Sequence, residues 1–100
     1  MGTLVLRNIL HGWQRYELDD SIYLPAGASP SLDLEVIVLP FDPGRPRVFD
    51  GQEYWLGIEQ IRDVVEGLET QLHRSTSADE RLKAVAHYAQ YDAFIDPANL

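Results

Sequence analysis

The side chains with the most chemical potential are three histidines, His11, His73 and His87, and sixteen acids set against eight lysines and arginines. No His stands four residues from another, and none sits in an H-E-x-x-H frame, so the helical spacing that presents two imidazoles to one zinc is missing. The chain has no Cys, so a zinc site would need three or four ligands from His and carboxylates scattered along the chain. His87 precedes Tyr88 and stands four residues before Tyr91, which on a helix sets imidazole beside phenol. Such a pair could pass a proton, but it reads more simply as a boundary histidine packed on aromatic rings. Asp19-Asp20 could shift each other's pKa as half of a metal or acid–base site, although adjacent loop carboxylates are ordinarily just solvated. No G-x-S-x-G elbow, G-x-x-x-x-G-K-[ST] phosphate loop or G-x-G-x-x-G turn is present. The expectation is a protein that is not an enzyme, with no cofactor and no metal.

A local imbalance of charge is more telling. Asp50, Glu53, Glu59, Asp63, Glu66 and Glu69 are opposed by Arg62 alone. Glu59, Asp63 and Glu66 fall at i, i+4 and i+7, which on a helix makes a stripe beside the apolar face, and Glu69 continues it one step round. Glu59 suits the positive end of a helix; Glu66 and Glu69 lie too far along for that explanation. Like charges at these spacings cost a few tenths of a kcal/mol per pair, roughly, a cost that a cationic partner would reverse. The plainer reading is a solvated helix face. Tyr54 and Trp55 alternate faces if they lie on a strand. One of them is then at an edge or outside, and an aromatic flanked by carboxylates has the make-up of an interface hot spot with a charged rim. The predicted partner-binding set is Asp50, Glu53, Trp55, Glu59, Asp63, Glu66 and Glu69.

The formal net charge of −8 repels phosphates and anionic lipid heads, which argues against nucleic acid and membrane as partners. It favours encounter with a basic protein. One hundred residues suffice for a single domain, 1–100, with one modest core. The segment Met1 to Trp13 has no secretory pattern and no apolar run is long enough to span a bilayer, so the expected compartment is the cytoplasm.

The elements that must hold these residues follow from periodicity. Leu6, Ile9, Leu10 and Trp13 mark one face of a short first helix, with Thr3 as its cap. Glu17 to Ser21 reads as loop, Ser21 to Leu24 as a short strand stopped by Pro25, and Ala26 to Ser31 as a turn. Leu32 to Phe41 is the strongest strand in the sequence, alternating at first and continuously apolar later, as if half exposed at its start and covered on both faces at its end. Asp42 to Arg47 reads as a projecting loop. Asp50-Gly51 is a turn dipeptide ahead of a third strand at Tyr54, Trp55 and Leu56. Ile61, Val64, Val65, Leu68 and Leu72 define a helix from about Glu59 to Leu72. Ser77-Ala78-Asp79-Glu80 is a capping box opening a last helix, with Leu82, Val85, Ala86 and Ala89 inward and an end near Asp92 or Ala93. The predicted fold is α+β: a short N-terminal helix, a two- to three-stranded, mainly antiparallel sheet in meander order, and two C-terminal helices packed on one face.

Tyr54 to Gln71 (YWLGIEQIRDVVEGLETQ) and Leu82 to Ile95 (LKAVAHYAQYDAFI) together resemble a group of small acidic bacterial proteins of unknown biochemical function, in which a strand runs into an amphipathic helix and a second helix ends in an Asp-Ala-Phe-like tail, here Asp92-Ala93-Phe94. By size, acidity and lack of catalytic motifs the chain is also similar to the immunity proteins of bacterial toxin systems, including contact-dependent growth inhibition. That likeness implies a cytoplasmic inhibitor that occludes the active site of a cognate, basic toxin domain. The other class the sequence admits is a non-catalytic adaptor or regulatory subunit, with a homodimer through exposed apolar surface as one form of it.

Overall fold

The computed structural model describes residues 4–100. Leu6–Gly12 forms α1, and a 3-10 turn, Trp13–Arg15, extends it. Leu6, Ile9 and Leu10 are fully buried and Trp13 nearly so, which is the face the spacing predicts. The expected cap Thr3 lies outside the described residues. The N-cap position is Val5, whose N–H donates to Asn8 Oδ1 at 3.0 Å.

Four strands follow: β1 (Ser21–Pro25), β2 (Ile37–Leu39), β3 (Val48–Phe49) and β4 (Gln52–Gly57). They make one antiparallel sheet in the order β2-β1-β4-β3. This is one strand beyond the two to three expected, and it is not a simple meander, because β1 sits centrally between β2 and β4. The Asp50-Gly51 turn accounts for the extra strand. Both residues have positive φ, 48° and 73°, the pairing that lets a two-residue loop follow the twist of its strands. The expected third strand is therefore the second arm of a tight hairpin.

The segment Leu32 to Phe41 corrects the sequence reading. Its regular strand is confined to Ile37–Leu39. The alternation before it is real, with Asp33 and Glu35 exposed while Leu34 and Val36 turn inward. What it pairs with is the start of α1: Leu6 N–H donates to Leu34 O and Arg7 N–H to Leu32 O, both at 2.9 Å. A turn in which Leu34 N–H reaches Ser31 O bends the chain there. The apolar run beyond it is not covered on both faces, since β2 is an edge strand and Ile37 is 39% exposed.

Helices α2 (Ile58–Leu72) and α3 (Ala78–Tyr91) pack against each other and, with α1, cover one face of the sheet. The first two N–H groups of α2 donate to Asp20 O and Leu18 O, and Gly57 N–H donates to Gln60 Oε1 at 2.8 Å. The loop before β1 thus satisfies donors that a helix start leaves open. His73 ends α2 in the left-handed region, and Asp92 does the same for α3. The Ser77 capping box is present, with Glu80 N–H on Ser77 Oγ and Ser77 N–H on Glu80 Oε1. The inward face of α3 is rotated from the one expected: Ala84 and Val85 are fully buried, whereas Ala89 is exposed. The helix turns its small Ala84 to α2, which carries Ala89 to the flank.

The other face of the sheet is not bare. Tyr23 meets Phe49 and Tyr54 edge-on, at 5.2 and 5.9 Å between ring centroids. Arg45 lies over Tyr23 and Phe49 and donates to Pro40 O. The expected projecting loop Asp42 to Arg47 is exposed along its length except at Arg45, which folds back over the rings.

Candidate functional site

The seven residues singled out in the sequence occupy four places. Glu59, Asp63 and Glu66 are exposed along α2, where the 3.6-residue period stacks them into one ridge opposite the buried Ile61, Val65 and Leu68. Arg62 is drawn to two of them, 3.0 Å from Asp63 Oδ1 and 3.5 Å from Glu59 Oε1. Glu66 makes no ion pair among the described residues. The ridge thus holds three carboxylates against one guanidinium.

Glu69 is half-buried and paired within the fold. Its Oε2 accepts from Thr76 N–H at 2.7 Å, from Thr76 Oγ1 at 2.8 Å and from Arg81 Nη2 at 3.2 Å. Burial pushes its pKa up, but these hydrogen bonds outweigh burial and hold it below the ordinary carboxylate value. Its side chain is committed to joining α2, the following loop and α3.

Asp50 forms the β3–β4 turn and does not line the cavity that holds Glu53 and Trp55. Glu53 and Trp55 stand on the helix-facing side of β4, where a bulge opposite Ile22/Tyr23 shifts the register. They line a cavity of about 280 Å³ with Leu24, Ala86 and Ala89, and Glu53 lies 4.0 Å from Arg47 Nε. Tyr54 points to the opposite face, as alternation requires. Burial raises its pKa, with Tyr23 adding to the effect and Arg47 opposing it. Glu53 and Trp55 share no ion pair, hydrogen bond or cavity with the α2 ridge among the described residues.

A second feature borders the ridge. Asp63, Val64, Gly67 and Leu68 of α2 form one wall of a cavity of about 240 Å³, closed by Ala84 and by Phe94 and Ile95 from the segment after α3. Phe94 is 61% exposed and packs on Tyr88 with ring centroids 5.3 Å apart. The apolar lining was hidden in sequence because Val64 and Leu68 read as core, which they also are. The available signal was Gly67, a glycine in mid-helix where alanine would be more stable.

The remaining titratable groups do not converge. The His87 ring packs on Tyr91 at 4.7 Å between centroids. Asp20 is tied into its own loop, its Oδ2 accepting from Glu17 N–H. Among the described residues, no three of His, Asp and Glu are grouped as metal ligands, and no helix is long and apolar enough to cross a membrane.

No curated protein and no solved structure matches the chain at a significant level. The family model for a domain of unknown function, DUF7716, matches residues 3–97. That span takes in α1, α2 and α3, the whole sheet and the tail segment carrying Phe94, and the chain belongs to the DUF7716 family.

Proposed function

We propose that this chain is a binding protein of the immunity type, acting in the cytoplasm to neutralise a cognate basic toxin domain by occluding its active site. The observation that carries this reading is the exposed ridge of Glu59, Asp63 and Glu66 with Arg62 as its one counter-ion among the described residues. Carboxylates so arranged repel each other in the free protein and are relieved by Lys and Arg from a partner. A toxin that acts on nucleic acid holds phosphates with those same cations, so pairing them blocks substrate by charge and by bulk. The net charge of −8 speeds the encounter with such a surface in a salt-dependent manner.

Co-purification and calorimetry with the product of the neighbouring gene test the reading. Binding should be tight and should weaken on charge reversal at Glu59 and Asp63. Absence of binding, or binding indifferent to those reversals, would sink it.

A second reading, a non-catalytic adaptor subunit, draws on a different surface. Ile37 and Phe41, with exposures of 39% and 62%, flank the aromatic face of the sheet that no helix covers. An oligomer that forms without a basic partner, and dissociates on Phe41→Ser, would favour this alternative.

A further inference from the structure

We propose that the groove between α2 and the Phe94–Ile95 segment takes one apolar side chain of the basic partner, with that partner's flanking Lys or Arg side chains lying on Asp63, Glu66 and Glu59. The proposal rests on the partner-binding reading and adds an anchor to it.

The groove measures about 240 Å³, below the roughly 300–1,000 Å³ of sites for drug-sized ligands. A single Leu- or Phe-sized side chain is the better fit. Its floor is core, since Val64, Leu68 and Ile95 are all under a tenth exposed. Its rim is mixed: Phe94 leaves much of its ring in solvent, and Asp63 is itself a lining residue. An apolar centre with a charged border is the arrangement in which a few anchor residues carry most of the energy of a protein interface.

Gly67 gives the second line of argument. A Cβ placed on it would meet no atom within 4 Å, so the protein's own packing does not require glycine there. Glycine is unfavourable in a helix interior. What it does is leave the mouth of the groove open between Asp63 and Gln71, so that a partner's backbone can come close to α2.

Charge decides the occupant. The ridge beside the mouth offers three carboxylates against one arginine. A second copy of the chain, with a net charge of −8, is repelled from that border. A short segment of a basic protein, apolar at its centre and cationic on either side, satisfies both wall and rim.

The test is an NMR titration of the full chain with two capped peptides, Lys-Arg-Leu-Arg-Lys and Lys-Arg-Gly-Arg-Lys. The leucine peptide should shift the Gly67 amide and the Val64 and Leu68 methyl resonances and bind about tenfold more tightly, the gain expected from burying one leucine. Gly67→Leu, which fills the mouth and keeps the helix, should abolish that advantage while both peptides retain weak, salt-sensitive binding. Equal affinity of the two peptides for the native chain overturns the groove and leaves the acidic ridge standing. Tight binding of the leucine peptide that ignores added salt and Asp63→Asn overturns the ridge and with it the cationic half of this proposal. No binding of either peptide overturns both.

Discussion

Arg81 Nη2 stands 3.2 Å from Glu69 Oε2, and the same guanidinium donates to Leu10 O at 2.6 Å and to Thr76 Oγ1 at 3.0 Å. One side chain on α3 therefore ties α1, the end of α2 and the connecting loop. The Arg81 side chain is 12% exposed and that of Glu69 28%, so the pair is screened far less than an ion pair on the surface. Arg81→Met leaves the Leu10 carbonyl without this donor and the Glu69 carboxylate without its cation, held by Thr76 alone, in a part-buried site. It should cost about 2–4 kcal/mol, measured by urea unfolding. Arg74→Met, which removes an exposed bidentate partner of Glu80, should cost well under half as much.

Acid should weaken the fold through two carboxylates. Glu69 is held below its ordinary pKa of 4.5, and the Arg74 guanidinium and the Ser77 N–H lower that of Glu80 to about 2. A carboxyl with a depressed folded-state pKa contributes stability that is complete above its unfolded pKa and is lost as the pH falls through the folded one. The urea midpoint should therefore hold above about pH 5 and fall between pH 5 and pH 2. Glu80→Gln should flatten part of that slope. An unchanged slope in the variant would show that Glu80 is not the group titrating.

Glu66→Lys and Glu69→Lys separate the ridge from the fold. Glu66 has no ion pair among the described residues, so its reversal should move stability by at most about 0.5 kcal/mol. Binding to a basic partner should still fall, and its dependence on salt should become shallower. Glu69→Lys places a cation against Arg81 and should unfold much of the protein at 25 °C, as read by circular dichroism. The two acids are three residues apart and have opposite expected phenotypes.

Two glycines should respond to alanine in opposite directions. Gly51 has φ of 73°, where a Cβ is strained, and Gly51→Ala should destabilise by about 1–2 kcal/mol. Gly67 lies within α2 with open space around it, and Gly67→Ala should stabilise by about 1 kcal/mol. Thermal melts of the two variants check both signs.

Ser77→Ala tests the last helix. The Ser77 hydroxyl accepts from Glu80 N–H at 3.2 Å, and its loss should cost about 1 kcal/mol.

The local rules carried much of the fold. The Ser77 cap, the Asp50-Gly51 turn and the apolar faces of α1 and α2 are each settled by residues within a few positions of one another, and each reads directly from the sequence. Pairing over distance did not. Leu32–Phe41 has the composition of a central strand, yet β1 took that place because Ile22 and Leu24 meet the helices on one side while Tyr23 meets Phe49 and Tyr54 on the other. The charged stripe was legible as far as helical period goes. It could not reveal that Glu69, one step round from Glu66, turns toward Arg81 twelve residues later. The groove was invisible because the fold brings its far wall, Phe94 and Ile95, to α2 from the end of the chain.

The place of β1 also sets an order of events for folding. Phe49 and Gln52 pair across a two-residue turn, whereas Ser21 must find Gly57 from the other half of the chain. The hairpin of β3 and β4 can close on the microsecond scale by itself, and β1 must then cross a long loop to dock on it. That docking is the step with the greater entropic barrier. Substitutions at the Tyr23–Tyr54 contact should therefore slow refolding, as read by stopped-flow fluorescence.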